Sequence, residues 1–379
     1  MKQRIKVLHL QPECSVRISD LQEEIIAALP VERFEVVTAY LTKTPETSSS
    51  GMHSQSERVK YFNFQKKDMK GLRIPVMRQL LKFCRTENFD VVITHRFKAL
   101  DIMLKLNKLL KIPHCIGVIH NLDDFSRFYR RLNAFLFLDK RWTIVTVSQL
   151  VNEHLCAIGF GFNQQNVKTI NNAIDTQKLL TRLYSREQAR KELKLDKDSF
   201  VFGTIGRAVT VKGHIYLLRA FNQLYQSNKN IKLVIIGGGK LSRQLQDYID
   251  AQQLNNAVYL TGEIVDAKLL IAAFDAFVLS SLAEGFSLVV LEAMAAGVPL
   301  IATQVGVVPD IITDKDEYIE PKDIQQLAYV MKKYCNMPIE QRQLIGAQLL
   351  HLLEQQYDIR LYRKNYLQLV QSKLKQEQA

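Results

Sequence analysis

No stretch of this chain approaches the roughly 18 uninterrupted apolar residues of a membrane-spanning helix, so no helical span is expected. Cysteine is scarce, at 5 in 379 residues. Cys14, Cys84, Cys115, Cys156 and Cys335 are scattered, odd in number and without metal-ligand spacing. That argues against a disulfide framework or a zinc site, and for reduced thiols in a cytosolic protein. No nucleic-acid-binding motif is present. The glycine run Gly237-Gly238-Gly239 fails the G-x-G-x-x-G nicotinamide fingerprint and reads as a tight turn. The first 13 residues hold only a short apolar run before Gln11 and Pro12, and read as a strand rather than a signal peptide.

What is present is an ordinary soluble composition, 47% apolar and 23% charged, in a chain long enough for two domains. The formal net charge is +13. A basic surface suits nucleic acid, an anionic membrane or phosphorylated ligands, and without a nucleic-acid motif the last two are preferred.

Apolar runs of strand length alternate with segments of helical period. Strands are expected at 5–10, 34–41, 89–94, 113–119, 143–147 and 167–170, with helices at 16–29, 75–85, 99–110 and from Ser148. Residues 42–57, rich in Ser, Thr and Lys, read as a mobile loop, and 176–197 as a charged helical linker. The pattern then restarts, with strands at 200–205, 231–236, 257–260 and 276–281, and helices at 214–225, 241–251 and 269–274. After Pro321 the chain reads as helical to its end. Alternation of this kind predicts α/β architecture: two doubly wound domains, 1–175 and 176–356, with ligand at the strand C-termini.

The chain is organised around residues 284–299, EGFSLVVLEAMAAGVP. Leu288 to Ala296 reads as a short helix, with Ser287 as N-cap, Gly297 just past its end and Pro299 as a stop. Glu284 then lies in a loop after a strand, and Glu292 a turn inside the helix. A helix N-terminus suits an anion such as pyrophosphate, and Gly285 permits close approach. Ionised carboxylates beside it suit hydroxyls rather than phosphates. A ligand with phosphates in its middle and hydroxyls at both ends is a nucleotide sugar. The plainer alternative is an amphipathic helix that happens to carry two glutamates.

Gly206-Arg207 ends a strand, and Lys212-Gly213 begins the next helix. Two cations at such a switch would neutralise a pyrophosphate leaving group without a metal; the alternative is a pair of solvated surface charges. His120 follows a buried strand and is either a sugar contact or a loop histidine with local partners. Asp123 and Asp124 read as caps for the following helix. Asp196-Lys197-Asp198 and Asp314-Lys315-Asp316 match the Asp-x-Asp pattern that can hold a metal on a nucleotide sugar. Both lie in Lys-rich, loop-like segments and read as solvated turns, so no metal is expected. In the segment 125–142, Phe125, Phe128, Leu132, Phe135 and Leu136 fall at helical spacing, with Arg127, Arg130 and Arg131 among them and Lys140-Arg141-Trp142 just after. This fits an anionic membrane surface, or else an ordinary core-facing helix.

Taken in order, Gly206-Arg207, Lys212-Gly213, Gly237 to Gly239, Glu284-Gly285-Phe286, Leu291-Glu292-Ala293 and Gly297-Val298-Pro299 resemble the family 4 glycosyltransferases, retaining enzymes of the GT-B fold. Val147-Ser148 and Asn172-Ala173-Ile174-Asp175 extend the resemblance; the first half matches more loosely. The resemblance implies two Rossmann-like domains facing a central cleft: an acceptor-binding domain over 1–175 and a nucleotide-sugar-binding domain over 176–356, with a C-terminal helix from about 357 to 379 packing back on the first. It implies that Arg207 and Lys212, beside Gly206, hold the donor diphosphate and that Glu292 binds the ribose. Glu284, with Gly285 and the amides of Phe286, Ser287 and Leu288, would hold the sugar. His120 would approach that sugar, and the backbone near Glu263 and Ile264 would meet the base. No cofactor beyond the nucleotide-sugar co-substrate, UDP-sugar favoured, is implied.

The anomeric carbon would become oxocarbenium-like as the nucleoside diphosphate departs. No nucleophilic carboxylate is evident, so attack on the leaving-group face, with the departing phosphate as base, is the expected route. Where the family often has a Gly-rich turn after the first strand, this chain has Gln11-Pro12-Glu13-Cys14-Ser15, and no acceptor-binding residue is assigned. Ser287 stands where Gly is common, and the loop after Ile312 lacks the usual Gly pair. The expected task is transfer to a lipopolysaccharide core, capsule or exopolysaccharide precursor at the inner face of the cytoplasmic membrane. A nucleotide-sugar epimerase, which would turn over without acceptor, and a non-catalytic GT-B binding partner are the alternatives.

Overall fold

The structure is a computed structural model and describes residues 4–13, 16–42 and 54–375. Most of the expected loop at 42–57, together with Cys14 and Ser15, lies outside the described residues. The chain divides into two compact units, Met1–Asn172 with Ile359–Ala379, and Ala173–Asp358.

The first unit runs β1 (Ile5–Glu13), α1 (Val16–Ala27), β2 (Phe34–Thr42), β3 (Arg58–Tyr61), α2 (Ile74–Glu87), β4 (Val91–His95), α3 (Arg96–Leu110), β5 (His114–Ile119), α4 (Phe128–Phe137), β6 (Trp142–Thr146), α5 (Gln149–Ile158) and β7 (Val167–Thr169). The second runs α6 (Thr176–Leu180), α7 (Arg186–Glu192), β8 (Phe200–Ile205), α8 (His214–Ser227), β9 (Ile231–Ile236), α9 (Ser242–Ala251), β10 (Val258–Gly262), β11 (Ala276–Leu279), α10 (Leu288–Ala295), β12 (Leu300–Ala302), α11 (Val308–Ile311), α12 (Ile324–Asn336) and α13 (Ile339–Gln356). The last helix, α14 (Ile359–Lys375), returns to the first unit, where Tyr362 Oη donates to Leu21 O and Arg363 pairs with Glu24 on α1.

Among the described residues the first sheet has the order β3-β2-β1-β4-β5-β6-β7 and the second β10-β9-β8-β11-β12, with every pairing parallel. Parallel strands bury both faces and so need near-continuous apolar sequence. All residues of β4, β5 and β11 are buried. In the second unit Val234, Ile236, Phe277 and Leu279 pack with Leu291 and Met294 on one face. Their strand neighbours Leu233, Ile235 and Val278 pack with Leu217, Phe221 and Met331 on the other. Helix starts follow local chemistry: Ser148 caps α5, Asp175 caps α6, Ser185 and Gln188 form a capping box on α7, and Asp323 caps α12.

One expectation is corrected. The segment 176–197 is not a linker: Leu179, Ala189, Leu193 and Leu195 belong to the core that contains Phe274 and Phe277. Its charge pattern hid one buried cation. Arg190 is 4% exposed, pairs with Asp275 at 2.7 Å and donates to the carbonyls of Ala273, Asp196, Lys197 and Ser199. The Asp196-Lys197-Asp198 turn is thus held from beneath. The C-terminal helix expected from about 357 is α14, which begins at Ile359 and belongs to the first unit, while Tyr357, 1% exposed, lies in the core of the second.

Candidate functional site

In the second sheet, β8 lies between β9 and β11. The chain leaves the C-terminal ends of β8 and β11 in opposite directions, which opens a crevice where ligands of such sheets bind. Gly206 and Arg207 directly follow β8, and Glu284 lies in the loop after β11. Glu263 and Ile264 directly follow β10 at the same sheet edge.

The two central loops are stitched together. Leu282 N donates to Val211 O at 2.7 Å, and Ser280 Oγ to Lys212 O at 3.1 Å. Gly213 has φ +65°, and a Cβ there would sit 1.9 Å from Ser280 O. Both the left-handed backbone and the close approach demand glycine. Gly237, at φ +136°, is pressed against Gly206 O in the same way, so the glycine run is the turn that braces the Arg207 loop.

Lys212 Nζ lies 2.6 Å from Glu284 Oε1, and Ser281 Oγ donates to the same oxygen at 2.6 Å. The lysine and glutamate side chains are 19% and 12% exposed. Two residues expected to grip different parts of one ligand therefore bond to each other. Arg207 is exposed, with no ion pair or hydrogen bond to its guanidinium among the described residues. The site holds one cation neutralised in place and one free to take an anion.

At α10 the expected serine cap is absent: Ser287 is buried but makes no capping hydrogen bond. Serines reach the helix at ψ near 160°, as Ser148 (161°) and Ser185 (156°) do. At ψ near 90° the longer Asp175 and Asp323 still reach. Ser287, at ψ 101°, combines the short side chain with the second backbone. Independently of that cap, which would serve Val289 or Val290, the amides of Phe286, Ser287 and Leu288 have no partner among the described residues. They form an anion-receptive edge beside the Lys212–Glu284 pair. Within α10, Glu292 is pushed up to about 7 by burial, offset in part by Lys268 at 4.0 Å.

His214, the first residue of α8, was not singled out in the sequence. It is 4% exposed, its Nδ1 has no partner among the described residues, and burial together with Lys212 lowers its pKa to about 4. Its signal was a polar residue where the helix enters the switch point.

His120 belongs to the first unit, directly after β5, with Nε2 3.3 Å from His95 Nδ1. Asp123 and Asp124 do not cap α4. They sit in a separate 3-10 turn, Leu122–Phe125, and α4 starts after Arg127 with no side-chain cap. Burial, with the Asp123 charge, pushes the Asp124 carboxyl up to about 6. This turn also breaks the expected apolar stripe. Phe125 is buried against Phe97 and Phe162, whereas Phe128, Leu132, Phe135 and Leu136 are exposed. The core-facing alternative for this helix fails, since Ala134 is its only residue described as buried. Arg130 stacks on Phe97 at 4.2 Å and, with Arg131, donates to carbonyls of the preceding turn. Where the family often has a Gly-rich turn after the first strand, β1 instead runs on as strand through Glu13.

Residues 185–348 match the family glycosyl transferases group 1, and residues 23–178 match Glycosyltransferase Family 4. The chain is 31% identical over 237 residues to an uncharacterized glycosyltransferase of Methanocaldococcus jannaschii, covering 59% of this chain and 58% of that protein. It is 26% identical over 248 residues to the Escherichia coli UDP-Gal:alpha-D-GlcNAc-diphosphoundecaprenol alpha-1,3-galactosyltransferase, covering 63% of each. These matches thus span about three-fifths of each relative. Among solved structures, HepE from Anabaena in complex with UDP superposes with a TM-score of 0.80 at 19% identity, over 97% of this chain and all (100%) of that one. Sucrose-phosphate synthase from Thermosynechococcus elongatus gives 0.78 at 16% identity, over 97% and 99%. The order of the motifs, the two parallel sheets and these matches lead to one conclusion: the chain belongs to the family 4 glycosyltransferases, group 1 type, with the GT-B fold.

Proposed function

We propose that this protein transfers a sugar, with retention, from a nucleoside-diphosphate sugar to the glycan or glycolipid precursor of a surface polysaccharide, and that a UDP-sugar is the donor. The observation that carries this is the switch-point constellation: free Arg207, the Lys212–Glu284 pair and the unpartnered amides of Phe286, Ser287 and Leu288. Arg207, Lys212 and the amides stabilise charge developing on the departing diphosphate, which needs no metal in this reading. Glu284 accepts from sugar hydroxyls and Glu292 from the ribose diol. The anomeric carbon turns oxocarbenium-like, the acceptor oxygen attacks from the leaving-group face, and the departing phosphate takes its proton. The capsule glycosyltransferase CapM of Staphylococcus aureus, 28% identical over 197 residues, supports the polysaccharide setting.

The test uses Glu292. A folded-state carboxyl raised to about 7 keeps its proton below that pH and costs stability when it ionises above it. A ribose diol favours the ionised form, so donor binding releases the proton and tightens as pH rises through 7. UDP-glucose has no phosphate that titrates in this range. It is expected to raise the Tm at pH 8, with affinity falling by up to about tenfold per pH unit below 7. Glu292→Gln is expected to flatten that dependence. No stabilisation by UDP-, GDP- or ADP-sugars at any pH would remove the reading.

The exposed face of α4 is the reading's membrane contact. Phe128 and Phe135 are 67% and 62% exposed, and Arg127 and Lys140 flank them in a chain of net charge +13. The protein is expected to float with phosphatidylglycerol vesicles and not with phosphatidylcholine vesicles. The double variant Phe128→Ser/Phe135→Ser is expected to stay in the soluble fraction with its Tm unchanged. Flotation unaffected by that variant would sink the assignment.

A further inference from the structure

Exposed cations and exposed aliphatic side chains share the stretch 66–82 of the first unit, and neither the donor site nor the α4 contact uses them. Lys66, Lys67, Lys70, Arg78 and Lys82 are exposed and have no ion pair among the described residues. The acidic residues nearby in the chain are engaged: Asp68 accepts from Gln65 N, and Glu87 pairs with Arg58. Among these cations the chain turns into α2. Gly71, at φ +61°, and Arg73, at φ 53°, lie on either side of Leu72. Leu72 is 82% exposed and Ile74 48%. A Cβ on Gly71 would meet nothing within 4 Å, so the turn is open on that side.

The turn is nevertheless fixed in place. An arginine in the left-handed region is unfavourable backbone, which persists where contacts hold it. Arg73 Nη1 donates to Asp101 Oδ2 at 2.8 Å, and Asn133 Nδ2 of α4 donates to Asp101 Oδ1 at 3.1 Å. One carboxylate, 2% exposed, therefore ties the turn to α4 across α3. Lys98, Asp101, Lys105 and Lys108 follow one another at spacings of three and four, which marks a single face of α3. Lys98 and Lys108 are exposed, so this face points outward, and Asp101 is covered there by Arg73, Lys105 and Asn133. From β3 to β4, β5 and β6 the chain moves one way along the sheet, so right-handed connections place α2, α3 and α4 on the same side. The turn and the exposed face of α4 thus lie side by side on the outside of one helical layer.

We propose that the turn 70–74 is a second lipid-contact element, docked beside α4 through Asp101, and that the two form one two-part surface for an anionic bilayer. This rests on the membrane contact proposed for α4 and adds a site to it. Charge selects the occupant: unpaired cations stand around the aliphatic tip, and a polybasic segment beside inserting apolar side chains binds anionic lipid. Two weak anchors held in one frame bind more tightly than either alone, because the second engages as an intramolecular step.

The first measurement is tryptophan fluorescence. Trp142, the one tryptophan of the sequence, is 1% exposed, so an indole placed at the tip is read against a buried background. Leu72→Trp is expected to shift its emission to the blue with phosphatidylglycerol vesicles and not with phosphatidylcholine vesicles. Emission that stays unshifted while the protein floats with the vesicles overturns the proposal. Adding Arg73→Gln, which unties the turn from Asp101, is expected to weaken the shift while α4 still carries the protein to the vesicles. An undiminished shift overturns the docking role given to Asp101.

The second measurement is flotation. Leu72→Ser/Ile74→Ser is expected to lower partitioning onto phosphatidylglycerol vesicles at least about tenfold, and Lys66→Gln/Lys70→Gln about 30-fold, with the Tm unchanged because all four residues are exposed. Partitioning that falls in Phe128→Ser/Phe135→Ser but not in Leu72→Ser/Ile74→Ser overturns this inference and leaves the α4 contact standing. If the unaltered protein does not float at all, both are overturned. A dimer in sedimentation that is lost in Leu72→Ser/Ile74→Ser would give the turn to a second copy of the chain and overturn the lipid assignment.

Discussion

Replacing Lys212 with alanine is expected to lower kcat by about 10²–10³-fold, the usual loss when one preorganised electrostatic contact to a developing anion is removed. Lys212 is held in advance: its carbonyl is tied to Ser280 Oγ, the glycine after it permits no other residue, and its ammonium rests on Glu284. The charge therefore needs no reorganisation when the leaving group departs. The effect should fall on kcat more than on KM, because the diphosphate gains negative charge only as the glycosidic bond breaks. Glu284→Gln serves as the contrast. It leaves the cation in place but weakens its anchor and the acceptance of sugar hydroxyls, so it should raise KM as well. The readout is steady-state transfer with a UDP-sugar, with circular dichroism to show an intact fold. Unchanged turnover in Lys212→Ala would remove the lysine from the mechanism.

Arg190→Ala is expected to destabilise the second unit by about 3–5 kcal/mol, the cost of leaving a buried charge without its partner. Asp275 keeps Arg186 at 2.7 Å, but that arginine is 46% exposed at its side chain, and Arg342 stands 3.9 Å away. Four carbonyls lose their donor at the same time. These partners join α7, the 196–199 turn and the end of the 3-10 helix Ala267–Ala273, so the loss is shared by the whole α7 side of the sheet. Urea unfolding followed by two probes should show the transition of the second unit moving to lower denaturant while that of the first stays in place. Arg190→Lys keeps the charge but not the planar set of five donors, and should recover only part of the loss. A shift below about 1 kcal/mol would show that the arginine is no more than a surface ion pair.

The comparison of sequence with structure follows from which interactions are local. The strands at 91–95, 231–236 and 276–279 were visible because strands buried on both faces must be apolar along their length. The α10 boundaries were visible because a glycine at φ +64° and a following proline end helices by their own backbone geometry. The glycine, cation and carboxylate motifs stood at fixed spacings, each within one strand-loop-helix unit. What failed was also local reasoning. Ser287 had the right residue type for a cap but the wrong ψ, and 125–138 had the right period for one helix but a 3-10 turn inside it.

Sequence by itself thus determined the alternating α/β order, the position of α10 and the residue types that meet at the candidate site, because periodicity and turn chemistry act over a few residues. Tertiary structure alone decided that Lys212 and Glu284, 72 residues apart, share a hydrogen bond. It alone put Arg190 inside a core rather than on a linker, left the apolar face of α4 uncovered, and joined His9, His95 and His120 across three strands. Each of these depends on which strand lies beside which, and on whether a helix face finds a partner. Parallel pairing with its crossover connections brings distant residues together, and no periodicity in a single chain records the outcome.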